Sequence, residues 1–121
     1  MIQDIKKSQA ITKYIRISSH KARRVLEQIR GKTYNEARLI LEFMPYKACK
    51  IIIKVLESSL NNIKQQSETE NFRIDKKNII IREALANQGP TLKRFQPRAQ
   101  GRAFPIRKPT CHITIKLESI I

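Results

Sequence analysis

Apolar residues recur along the first half of the chain with a helical period. Ala22, Val25, Leu26 and Ile29 fall at i, i+3, i+4 and i+7, which puts all four on one face of a helix. Ser18 stands where an N-cap is needed and Gly31 where the helix must stop. Thr33 and Glu36 have the spacing of a capping box, and Ala37, Ile40, Leu41 and Met44 continue it as a second apolar stripe. Pro45 ends that helix and suits the first turn of a third. There Ala48, Ile51, Ile52, Val55, Leu56, Leu60 and Ile63 hold the 3.6 period longest, which predicts the longest and most buried helix. Residues 65–77 are polar and without period, so they read as a surface loop.

Beyond that loop the period changes to two. Ile79-Ile80-Ile81 and the following Arg82-Glu83-Ala84-Leu85-Ala86 alternate in part. Cys111, Ile113, Ile115 and Leu117 alternate cleanly with His112, Thr114 and Lys116, so a strand here has one buried face. A short extended start covers residues 11–17. The predicted fold class is α+β: three helices packed on a small antiparallel sheet.

Between the two strands lies a segment that fits neither period. Residues 89–109 carry Lys93, Arg94, Arg98, Arg102, Arg107 and Lys108 but no acid. Charges of one sign repel, and the few apolar residues are too scattered to offset the entropy of ordering the backbone. Such a segment needs a polyanion. If both strands run on into it and turn near residues 92–98, they form a long projecting basic β-hairpin of roughly 60 Å at ~3.3 Å per residue. We therefore expect a single domain over residues 1–121, with a globular core of residues 1–88 and 110–121 and an extended arm of residues 89–109.

Charge sharpens this picture. The formal net charge is +15, and it lies at the two ends of the chain, since residues 31–88 are nearly balanced. Nucleic acid is the leading partner, ahead of an anionic membrane surface. Phe95 and Phe104, set among the arm's cations, suit stacking on unpaired bases, and Pro90, Pro97, Pro105 and Pro109 stiffen an extended path. No recognition helix is evident, so folded RNA is favoured over duplex DNA. Lys21, Arg23 and Arg24 at the start of the first helix oppose its dipole, a conflict that a bound phosphate would reverse with help from the Ser18 hydroxyl.

Other chemistry is weakly represented. Cys49 and Cys111 have no framework spacing and read as buried reduced thiols. Cys111 and His112 are adjacent but point to opposite faces of a strand, so no metal site is expected, nor any cofactor. Acids are dispersed and no nucleophile or phosphate-loop motif occurs, so no enzymatic activity is expected. No apolar run reaches the ~20 residues of a membrane span. The opening Met-Ile-Gln-Asp-Ile-Lys-Lys lacks the apolar stretch of a secretory signal. The expectation is a protein that stays where it is made or has already lost a targeting segment.

Gly89-Pro-Thr-Leu-Lys-Arg-Phe-x-Pro-Arg-Ala-x-Gly-Arg-Ala, followed by Ile106-Arg-Lys-Pro-Thr-Cys-His-Ile-Thr-Ile, resembles the C-terminal signature of the large-subunit ribosomal protein L-twenty-two family. Arg16-Ile-Ser-Ser-His-Lys-Ala-Arg-Arg-Val, Ile29-Arg-Gly-Lys and Lys54-Val-Leu-Glu-Ser-Ser-Leu-Asn-Asn resemble its first and third helices. The Lys-Pro-Thr-Cys-His form is most similar to plastid and cyanobacterial members. The resemblance implies a structural, non-enzymatic constituent of the large ribosomal subunit that binds its rRNA, supports assembly and lines the polypeptide exit tunnel. It implies rRNA contacts from Ser18, Lys21, Arg24, Lys32, Lys93, Arg94, Arg98, Arg102, Arg107, Lys108 and His112, with Leu92, Lys93, Arg94 and Phe95 as the tunnel tip. Implied partners are rRNA, neighbouring ribosomal proteins including L-four at the tunnel constriction, and the nascent chain, with no membrane and no homo-oligomer. The implied location is the ribosomes of the plastid (chloroplast) stroma, or else the bacterial cytoplasm.

Overall fold

The computed structural model describes residues 5–97 and 103–120. The elements run β1 (Ile5–Ile15), α1 (Ser19–Ile29), α2 (Tyr34–Phe43), α3 (Ala48–Glu70), a 3-10 turn (Lys76–Asn78), β2 (Ile79–Gln88), β3 (Leu92–Pro97), β4 (Ala103–Lys108) and β5 (Cys111–Ile120). Three helices pack against a three-stranded antiparallel sheet of order β1-β5-β2. The strand with the cleanest alternation holds the centre. Cys111, Ile113, Ile115 and Leu117 of β5 are fully buried under α1 and α3, together with Leu26, Ile29, Ile52, Leu56 and Ile63 from those helices. Each such side chain contributes roughly 1.5–3 kcal/mol relative to leaving it exposed. The expected fold class is therefore the observed one.

The caps of the first two helices form as expected. Ser18 Oγ accepts the Lys21 N–H at 3.3 Å and Thr33 Oγ1 accepts the Glu36 N–H at 3.4 Å, each replacing a bond the helix cannot make for itself. Gly31 follows α1 at φ +80, a conformation that suits glycine. Pro45 does not open α3. It lies in the linker, and α3 starts at Ala48 with no side-chain cap.

Three further expectations need correction. The extended start is a strand of 11 residues, Ile5–Ile15, paired along β5. Its first half, Lys6-Lys7-Ser8-Gln9, lacks an apolar face. Its order comes instead from ladder bonds and from α3, where Ser59 O accepts the Ser8 hydroxyl and Gln9 O accepts from Asn62 Nδ2. Residues 65–70 are not loop but the last turns of α3, which ends where Asn71 takes a left-handed φ of 56. That part of the helix has left the core, so the apolar stripe that reports a helix is missing. The ion pair between Lys6 and Glu70 at 2.9 Å ties it to β1 instead.

The third correction concerns the arm, which does not continue the core strands. β3 and β4 form a separate two-stranded sheet, from Leu92 opposite Lys108 to Pro97 opposite Ala103. Pro90 and Pro109 lack the N–H that a continuous ladder would need, so the ribbon breaks at its root. One backbone bond crosses the break, from Gly89 N–H to Thr110 O at 2.9 Å. β3 spans Leu92–Pro97, so Leu92, Lys93, Arg94 and Phe95 lie along a strand rather than at a turn.

Candidate nucleic-acid interface

The start of α1, the linker before α3 and the root of the arm meet around a cleft of about 480 Å³. Its wall brings together Ser18, Lys21 and Arg24, all expected from the sequence, with Arg16, Tyr46 and Lys47, which were not. Ile17, Pro45, Ala48 and Pro109 make the remainder largely apolar. The Arg24 guanidinium lies over the Tyr46 ring, 4.2 Å from its centroid. A cation–π contact of this kind holds the charge in one place without neutralising it. Ser18 Oγ is occupied as an acceptor by the Lys21 N–H, which leaves its hydroxyl hydrogen for an outside acceptor. Among the described residues that line the cleft there is no acid.

Several acids are engaged elsewhere. Arg38 of α2 pairs with Glu42 at 3.2 Å and with Glu57 of α3. Hydrogen bonds that it donates to Tyr34, Glu57 and Glu42 hold its guanidinium even more firmly protonated than usual. On the open face of the sheet Lys116 meets Glu83 at 3.2 Å, and Glu118 lies 3.7 Å from both Lys7 and Arg82.

Not every cation near the cleft is available to a ligand. Arg23 Nε donates to Ala86 O at 3.0 Å and Arg30 Nη2 to Ala84 O at 2.7 Å. These carbonyls belong to β2, an edge strand, so the two arginines cover hydrogen-bonding groups that would otherwise invite another strand. Lys32 gives its carbonyl to Ile81 N–H in the same cause, while its side chain stays exposed.

In the arm, Lys93 is the cross-strand partner of Arg107, and Leu92 of Lys108. Like charges at directly opposed positions destabilise an isolated ribbon, a conflict that a polyanion relieves. Arg94 pairs with Ile106, and Phe95 with Pro105. Lys108 is exposed at the root. Arg98 and Arg102 lie outside the described residues.

His112 is turned into the fold. Its Nδ1 accepts the Tyr14 N–H at 3.0 Å, its ring meets the Tyr14 ring edge-on at 4.9 Å, and its other edge faces Gly89. A neutral imidazole that accepts at Nδ1 carries its proton on Nε2, which here lies on the edge toward Gly89. Cys111, next in sequence, is on the opposite, buried face, where burial raises its thiol pKa against a smaller lowering by Arg23. Among the described residues no group of three or more His, Cys, Asp or Glu is placed to hold a metal, and no helix is long and apolar enough to cross a membrane.

The sequence profile described as Ribosomal protein L22p/L17e matches residues 10–118, nearly the whole chain. The chain belongs to this family. It is 63% identical over 111 residues to the large ribosomal subunit protein uL22c of Gracilaria tenuistipitata, covering 92% of both chains. The uL22c protein of Physcomitrium patens is 52% identical over 92% of this chain and 90% of its own. The uL22 protein of Thermosynechococcus vestitus is 56% identical over 89% and 84%. As a member of the L22p/L17e family the chain is a structural ribosomal protein and not an enzyme. The matched span takes in the cleft, the sheet and the arm.

Tyr46 and Lys47 escaped the sequence reading because they sit between two helices, without a period of their own. The signal that could have found them is local: an aromatic and a cation side by side at the mouth of the longest helix.

Proposed function

We propose that this ribosomal protein binds rRNA of the large subunit in a plastid-type ribosome, through the cleft at α1 and along the arm. The observation that carries the reading is the cleft wall, where Arg16, Lys21, Arg24 and Lys47 come together with no acid in the lining, while acids pair with cations on the open sheet face and between α2 and α3. Ser18, Lys21, Arg24 and Lys32 serve the core contact, and Lys93, Arg94, Arg98, Arg102, Arg107 and Lys108 the arm. His112 contributes as well. Neutralising phosphates lets rRNA segments approach one another during assembly, which is the chemistry the chain supplies.

The arm would also form part of the wall of the polypeptide exit tunnel, beside ribosomal protein L-four, acting on the nascent chain by shape and positive charge. The arm pairs β3 with β4 from Leu92 to Pro97. Leu92, Lys93, Arg94 and Phe95 then form its side. The uL22c relatives favour plastid ribosomes over a bacterial cytoplasm.

The test is binding of the full chain to domain-sized fragments of large-subunit rRNA across salt concentrations. If each of the six arm cations meets one phosphate, the log–log slope is roughly 4, at ~0.7 per contact for single strands. Affinity insensitive to salt would overturn the reading. Tagged protein in the source organelle should sediment with the large subunit at near-unit stoichiometry.

A further inference from the structure

The cleft at the start of α1 has features that a phosphate clamp alone does not require. Its floor is apolar, made by Ile17, Ala48 and Pro109, and its volume of about 480 Å³ lies within the ~300–1,000 Å³ usual for small-ligand clefts. Phosphate contacts need cations on an open surface, and a duplex offers only its outer backbone to a concave wall. A single base that has left its stack offers a flat apolar face with a phosphate on either side.

From this geometry we infer that the cleft takes one unpaired nucleotide of the rRNA, its base stacked on the outward face of the Arg24 guanidinium. This rests on the rRNA-binding reading above and assigns one subsite its ligand. Tyr46 already holds Arg24 from one side at 4.2 Å, and Arg24 is exposed, which leaves part of its side chain to a ligand. Base, guanidinium and phenol ring then stack in series. Guanidinium planes and aromatic rings are the surfaces on which splayed RNA bases are received. Ordering of the long Arg24 side chain is already supplied by Tyr46, so less is lost on binding. Arg16, Lys21 and Lys47, on the same wall, meet the flanking phosphates, and with no acid in the lining nothing repels them. Pro109 ties this subsite to the root of the arm, so a strand leaving the cleft passes directly to Lys108.

The experiment uses the isotope-labelled full chain and three probes of matched charge: a single-stranded RNA tetranucleotide, the same backbone without bases, and inorganic polyphosphate. We expect the tetranucleotide to shift the Tyr46 ring and Arg24 Nε–H resonances and to bind on the order of tenfold more tightly than the abasic probe. Arg24→Lys, which keeps the charge but loses the plane, and Tyr46→Ala should abolish that difference, while Tyr46→Phe keeps it. Equal binding of all three probes, with rRNA-fragment binding intact, would overturn the nucleotide subsite and leave the rRNA reading standing. Loss of rRNA-fragment affinity in the wild-type chain would overturn both.

Discussion

Gly89 and Thr110 are fastened to each other at the root of the arm. The Gly89 N–H donates to Thr110 O at 2.9 Å, and the Thr110 hydroxyl donates to Pro90 O. A Cβ on Gly89 would sit 2.6 Å from Thr110 Oγ1, closer than such atoms come, and a tight 3.2 Å from the His112 ring. Glycine is required here by close approach and not by an unusual φ. Gly89→Ala should destabilise the fold by about 1–3 kcal/mol, the usual result of overpacking. A urea titration would measure it. Adding Thr110→Ala should recover part of the loss, and strict additivity of the two would mean that the contact is not the cause.

His112 secures the other side of the same junction. β1 and β5 slip register between Thr12 and Ile15, and Tyr14 takes a φ of 59, so its N–H leaves the ladder and goes to His112 Nδ1. His112→Ala should cost about 1 kcal/mol, because Tyr14 is exposed and water replaces part of the lost bond. His112→Asn, which retains an acceptor, should cost less. Thermal melts of the two variants against wild type give the ranking.

Stability should also fall on the acid side through Glu70. Its carboxyl pKa is lowered, chiefly by the hydrogen bond from Lys6. A carboxylate with a depressed folded value stabilises the fold fully above its ordinary value of 4.5 and loses that contribution as pH falls through the depressed one. Lys6→Met removes the partner, and with it the ammonium that lies 5.0 Å from the Phe72 ring centroid. The variant should therefore lose stability at neutral pH and show a shallower acid limb than wild type in denaturant titrations.

The two thiols should be inert while the protein is folded. Cys111 is fully buried and Cys49 only 2% exposed, and burial raises the Cys111 thiol pKa. Thiolate is the reactive form, so a disulfide reagent should show no fast phase with native protein and should modify both thiols after denaturation. A rapid native reaction would mean that the sheet opens beside β5.

The open face of the sheet explains why total charge is a poor guide to where nucleic acid binds. Lys7, Arg82 and Lys116 are as basic as the cleft residues, yet each is placed beside Glu83 or Glu118. Charge reversal at Lys116 should leave rRNA affinity nearly unchanged, whereas Lys21→Glu should weaken it at least several-fold at low salt. Filter-binding at two salt concentrations separates these outcomes.

Helices α1 and α2 and strand β5 were legible in the sequence, because burial on one face imposes a period and a cap needs a particular side chain at one position. β1 and the end of α3 were not. Both depend on bonds between residues far apart, such as Lys6 with Glu70 and Ser8 with Ser59, which leave no trace in local pattern. The same is true of Arg23 and Arg30. Packing of α1 beside β2 commits them to backbone carbonyls.

By itself the sequence determined the kind of partner and the family, since an acid-free stretch of cations and a long motif are properties of order along the chain. Only the tertiary structure decided which cations are spare, where the ribbon breaks, and that Arg16, Arg24, Tyr46 and Pro109 share one cleft. Those are relations across space. They arise when apolar faces are buried together and carry their polar neighbours with them.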